Sequence, residues 1–135
     1  MLLKVGIRMN IYNNTKKIIL DILYKNFQNL NENIESKVTC EQPKNEKFGD
    51  ISTNVIMVVS KTLKIEKSIM SNILIKDILK NKIFEKANFV EPGFLNIKFS
   101  GSFWLDFLKN IYIQKDNYGF INIGKNKKIN IEFVS

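Results

Sequence analysis

Residues 86–99 restrict the fold more than any other stretch of the chain. Two runs, Lys86-Ala87-Asn88-Phe89-Val90-Glu91 and Phe94-Leu95-Asn96-Ile97-Lys98-Phe99, flank the turn pair Pro92-Gly93. So tight a connection favours antiparallel pairing. The second run alternates, with Leu95, Ile97 and Phe99 on one face and Phe94, Asn96 and Lys98 on the other. A half-buried strand of this kind needs helices on its apolar side. The rest of the chain supplies them.

Ile18, Ile19, Ile22, Leu23, Phe27 and Leu30 recur at helical spacing. They predict a helix from about 10 to 29, with capping chemistry at Asn13, Asn14 and Thr15. Lys16, Lys17, Asp21, Lys25 and Asn26 form its solvated face. Residues 36–41 read as a short strand that Pro43 ends, because proline cannot donate to a ladder. Asp50 is placed to cap a helix carrying Ile51, Val55, Val58, Val59 and Leu63. A further helix starts near Glu66, with Ile69, Ile73, Leu74 and Ile78 inward. Ser102 caps another with Phe103, Trp104, Phe107, Leu108 and Ile111, and Asp116-Asn117-Tyr118-Gly119 breaks it. Lys128–Val134 alternates again and predicts a last strand. Helices and strands are interspersed, so the expected fold is α+β: a small, mainly antiparallel β-sheet with helices packed on one face.

With 135 residues the chain is one domain's worth. It has no histidine and one cysteine, Cys40, so a structural zinc site and His-dependent nucleophilic catalysis are excluded. Neither Gly-x-Gly-x-x-Gly nor Gly-x-x-x-x-Gly-Lys-Ser/Thr occurs, so both common phosphate-cradling loops are missing. No apolar run approaches the roughly 20 residues of a membrane span. A single cysteine permits no internal disulfide and fits a reducing compartment, so the expected location is cytoplasmic.

The net charge is +8. It points to a polyanionic partner, nucleic acid first. An AT-rich genome, whose codons favour Lys, Asn and Ile, produces the same bias. Arg8 is the only arginine among the 21 basic residues, and lysine meets phosphate as a point charge rather than reading base edges as a fork.

If helices cover the Leu95/Ile97/Phe99 side, the other face displays a ring, an amide and an ammonium in a row. A ring stacks on an unpaired base for about 1–3 kcal/mol. An amide pairs donor and acceptor with a base edge, and an ammonium meets phosphate. The alternative is plain: Phe94 packs on a neighbouring strand and Asn96 only tolerates solvent. Asp50, Thr53 and Asn54 form either a small polar site or helix-capping chemistry. Lys125, Lys127 and Lys128 either steer phosphate or decorate a solvated turn.

Four segments resemble one family. Phe48-Gly49-Asp50-Ile51-Ser52-Thr53-Asn54 is similar to the Gly-Asp-aromatic/Ile-Ala/Ser-Thr-Asn signature of bacterial arginyl-tRNA synthetases. Glu91-Pro92-Gly93-Phe94-Leu95-Asn96 resembles that family's Gly-Pro-Gly-Phe-Ile/Leu-Asn segment, with Glu91 where glycine is usual. Asn117-Tyr118-Gly119 resembles its Asp/Asn-Tyr-Gly element. The run from Gly124 to Ser135 resembles its Gly-Lys-x-Lys-Lys-Val-x-Val-Glu-Phe-Val-Ser stretch.

The resemblance implies the family's N-terminal tRNA-recognition domain. It implies residues 1–9 as an N-terminal extension, 10–124 as the domain that touches the D loop at the tRNA elbow, and 125–135 as the first strand of a catalytic domain that the chain does not contain. The periodic pattern indeed begins only after Met9. Phe94 and Asn96, with Lys98, are the implied tRNA-binding residues, and Glu132 and Ser135 the lip of an arginine pocket in the full-length enzyme. No catalytic residue and no metal ligand is implied within the chain. The family's signature histidines lie beyond it.

The implied partner is tRNA-Arg. Arginine, and ATP with magnesium as cofactor, would enter through the missing class I catalytic domain, which would join arginine to tRNA. The chain alone is expected to bind no cofactor, to catalyse nothing, to stay off membranes and to be a monomer. Two other roles stand beside this one: a module that braces the catalytic domain without reading RNA, and a stand-alone RNA-binding domain.

Overall fold

The computed structural model describes residues 10–30, 33–120, 126–128 and 130–134. The expected extension over 1–9, together with Lys125 and Ser135, lies outside them. Four antiparallel strands form one sheet in the order β1-β2-β4-β3. They are β1 (Cys40–Glu41), β2 (Ile51–Thr53), β3 (Phe84–Val90) and β4 (Phe94–Phe99). The hairpin β3–β4 is antiparallel, as the tight turn predicts, but its connection takes in Glu91 as well as Pro92 and Gly93, so that Val90 lies opposite Phe94, Asn88 opposite Asn96 and Lys86 opposite Lys98. The strand β2 takes the other edge of β4, so the most strongly patterned strand is central.

Helices α1 (Ile11–Asn26), α3 (Val55–Leu63) and α4 (Lys67–Ile78) bring their apolar stripes to one side of this sheet. Ile19 and Leu23 of α1, Val55 and Val59 of α3, and Met70, Leu74 and Ile78 of α4 have no exposed surface, and neither have Ile51, Leu95 and Ile97 of the sheet. The α+β expectation, with helices on one face, describes this arrangement. Among the described residues no helix is long and apolar enough to cross a membrane.

Several local expectations are corrected. The first helix is capped by Asn10, whose side chain accepts from the Tyr12 and Asn13 N–H groups, not by Asn13–Thr15. Thr15 is instead buried. The predicted strand over 36–41 begins inside the helical turn α2 (Ile34–Lys37), anchored by buried Ile34, and only Cys40 and Glu41 pair. Ile69 is half exposed, because the buried stripe of α4 runs Met70-Leu74-Ile78 at four-residue steps and passes it by. Ser100, not Ser102, caps α5 (Gly101–Gln114), accepting from the Phe103 N–H.

Asp50 caps no helix. Residues 51–53 are β2, and the Asp50 carboxylate accepts from the Phe99 N–H at 2.8 Å while its own N–H donates to the Ile97 carbonyl at 2.9 Å. Three residues that pair with β4 gain more from the ladder than from an extra helical turn. Thr53 and Asn54 are structural as well. Thr53 accepts from the Val55 N–H, and the Asn54 amide joins the Thr39 N–H and Lys37 carbonyl. The strand expected over Lys128–Val134 is also absent from the described part of that segment, where Ile131, Phe133 and Val134 are exposed. An alternating sequence becomes a strand only when an edge receives it.

Candidate nucleic-acid interface

The face of the sheet opposite the helices holds three transverse rows. The register determines their membership. Nearest the β3–β4 turn, Phe94 lies opposite Val90, and both are exposed by more than a third. Two residues along, Asn96 lies between Ser52 of β2 and Asn88 of β3, and Glu41 of β1 continues the row beyond Ser52. Two further along, Lys98 lies opposite Lys86, both exposed. Successive rows are about 7 Å apart at strand rise, so the ring and the lysines are about 13 Å apart.

The structure thus puts Phe94, Asn96 and Lys98 on one face, as the alternation predicts. One detail differs. Asn96 is only 7% exposed, so its amide is the floor of the face rather than a projection. The cause is its central strand: Ser52 and Asn88 crowd it from the sides, Phe94 and Lys98 along the chain. Ser52, Asn88, Lys86 and Glu41 were not singled out from the sequence. For Asn88 and Lys86 the sequence signal misleads: a two-residue turn at Pro92-Gly93 would put Phe89 across from Asn96 and Ala87 across from Lys98, whereas the observed three-residue connection over 91–93 shifts the register by one, to Asn88 and Lys86. For Ser52 and Glu41 none existed, because their pairing is long-range.

The turn is held in place. The Glu91–Pro92 peptide is cis. The Gly93 carbonyl accepts from the Met57 N–H at 2.9 Å, and a Cβ on Gly93 would come within 2.8 Å of the Met57 Cβ. That close approach seats the turn on α3 and sets the position of Phe94, the next residue.

The other chemically distinctive groups lie elsewhere. Burial pushes the Cys40 thiol up, outweighing the Thr53 hydrogen bond and the field of Lys16, so it is a poor nucleophile near neutral pH. Asp77 is held below the usual carboxylate range by hydrogen bonds from Lys80 and then Asn26, an arrangement that ties α1 to α4. Glu132 is exposed and outside the sheet, so nothing in the described residues gathers it into a pocket. Among the described residues no group of carboxylate and cysteine side chains is placed to hold a metal ion. What the open face can do is bind: stack, hydrogen-bond and neutralise phosphate.

Residues 13–99 match the family model described as the arginyl tRNA synthetase N terminal domain. Among curated proteins, the arginine–tRNA ligase of Bartonella quintana is 33% identical over 133 residues, covering 94% of this chain and 22% of the relative. That of Ruminiclostridium cellulolyticum is 37% identical over 99 residues, covering 73% of this chain and 18% of the relative. The chain therefore spans about a fifth of the length of these relatives. Among solved structures, the arginyl-tRNA synthetase of Plasmodium falciparum superposes with a TM-score of 0.64 at 23% identity, over 76% of this chain and 18% of that one. That likeness concerns the fold.

Proposed function

The chain belongs to the arginyl-tRNA synthetase family, as its N-terminal domain, and from that premise we propose that the open face of its sheet binds the D loop of tRNA-Arg. The observation that carries this reading is the juxtaposition of Phe94, Asn96 and Lys98 on a face that no described helix covers. Phe94 stacks on an unpaired D-loop base. The Asn96 amide, recessed beside Ser52 and Asn88, accepts and donates to that base's edge. Lys98 meets the backbone. The domain occupies residues 10–124 and adds binding energy and orientation rather than chemistry. The chain acts in the cytoplasm as a monomer.

The parent protein joins arginine to tRNA-Arg with ATP and magnesium, as a class I ligase. Glu132 and Ser135, at the start of its catalytic domain, form the lip of its arginine pocket, where a carboxylate suits a cationic substrate. The chain alone has no such activity. A bracing role accompanies RNA binding. It is favoured by α5, on which Leu105, Leu108 and Ile113 are each more than 60% exposed, apolar side chains open to a protein contact.

The test is a titration of the chain with tRNA-Arg, the same tRNA with a shortened D loop, and a non-cognate tRNA. The intact D loop is preferred at moderate salt. Phe94→Ala removes one stacked base, about 1–3 kcal/mol or about a 5- to 150-fold weaker Kd, with the fold retained because the ring is on the open face. Asn96→Ala weakens the same complex. Equal binding to all three RNAs, or an unchanged Kd in both variants, rejects the reading.

A further inference from the structure

We propose that Lys86 and Lys98 form a clamp for a single phosphate of the bound RNA, and that Asn88 reads the same base as Asn96. This rests on the reading that the open face meets tRNA, and it adds two residues that β4 alone does not reveal. The two lysines face each other across β3 and β4, with backbones about 5 Å apart. Like charges directly opposite destabilise a sheet. Among the described residues neither lysine is ion-paired, the two ion pairs being Lys80–Asp77 and Lys109–Asp106.

The acidic groups around the pair make no ion pair with it. Asp50, next outward on the β2 side, accepts from the Phe99 N–H and makes no ion pair with either lysine. Glu85 is the extra residue at the β3 irregularity between Phe84 and Lys86. Glu41 lies at the far edge, in the amide row rather than the lysine row. The face therefore carries a pair of ammonium groups with no carboxylate of the described residues in direct contact, at the end opposite the exposed ring. A phosphate oxygen pair held between them removes their repulsion, so the anion is bound by the relief as well as by attraction.

Between clamp and ring lies the row Glu41-Ser52-Asn96-Asn88, polar at every position across all four strands. Asn96 is recessed and Asn88 exposed. A base edge laid over this row meets two amides at different heights, each offering both a donor and an acceptor.

Salt dependence separates the possibilities. Binding of the 135-residue chain to tRNA-Arg is measured over a range of salt, for wild type, Lys86→Gln/Lys98→Gln, and Lys25→Gln on α1 as a control. One neutralised phosphate in a single-stranded loop contributes about 0.7 to the slope of log K against log salt. The double variant loses about 0.7, and the control loses nothing. A loss of about 1.4 means two independent phosphates and overturns the clamp, and so does no loss.

A second readout uses D-loop linkages replaced one at a time by uncharged methylphosphonate. Wild type weakens at one linkage, and the double variant is indifferent there. Urea unfolding of the double variant gives a midpoint equal to or above wild type, because repulsion is removed. A lower midpoint also overturns the proposal. Asn88→Ala lowers discrimination between D-loop base variants without changing the salt slope. Unchanged discrimination removes Asn88 from the site. Failure of D-loop preference in wild type would reject the broader reading instead, and is seen in the wild-type titration alone.

Discussion

Replacing Gly49 by alanine tests how the end of the sheet is built. Gly49 has φ +104° and ψ −158°, a region that is essentially glycine's alone. Holding alanine there costs about 1–3 kcal/mol. A Cβ at this position would also lie 2.7 Å from the Ile97 carbonyl oxygen, which is backbone and part of the central strand. That oxygen already accepts from the Asp50 N–H at 2.9 Å. Relieving the contact lengthens or breaks the bond, for about another 1 kcal/mol. The expected loss is therefore about 3 kcal/mol, a large part of the about 5–15 kcal/mol that holds a domain folded.

Urea unfolding followed by far-ultraviolet circular dichroism measures the loss. The fluorescence of Trp104, which shares a cleft with Gly49 and Asp50, gives a local probe. Gly101→Ala is the matched control. It opens a helix with nothing within 4 Å of an added Cβ, so it is neutral or stabilising by up to about 1 kcal/mol. A Gly49→Ala protein within 1 kcal/mol of wild type would refute the reasoning.

Two further outcomes follow from the same geometry. Asp50→Ala leaves the Phe99 N–H without its charged acceptor and lowers unfolding stability by about 2 kcal/mol, whereas Asp50→Asn keeps a carbonyl acceptor and loses about half as much; urea midpoints of the two variants measure this. Asp77 has a depressed pKa in the folded state, so its contribution is present above the unfolded value of about 3.9 and is lost as pH falls through the lower folded value. Thermal unfolding between pH 6 and pH 2 therefore shows a smaller acid-induced loss for Asp77→Asn than for wild type, and equal losses would remove Asp77 from the linkage.

The parts of the fold legible in the sequence are those whose signal is local. The alternation of Leu95, Ile97 and Phe99 around a Pro-Gly turn determined a hairpin, its inward face and the outward side of Phe94. The periodic apolar residues of α1, α3 and α4 determined the three covering helices, with Ile69 misassigned to the inward face of α4. The four family segments determined membership, because their order along the chain needs no knowledge of contacts. The site was half legible for the same reason: Phe94, Asn96 and Lys98 sit on one strand, and their common face follows from a two-residue period.

Tertiary structure decided the rest. Asp50-Ile51-Ser52-Thr53 reads equally well as a capped helix start. It becomes a strand because β4 offers it an edge and the Phe99 N–H takes its carboxylate. Lys128–Val134 alternates better than β2 does, yet its described residues pair with nothing. A ladder is a contract between two segments, and a sequence states only one side of it. The rows on the open face have the same origin. Asn96 is recessed and Lys98 faces another lysine because β2 and β3 lie beside them, and which strands lie side by side is settled by the packing of the whole chain.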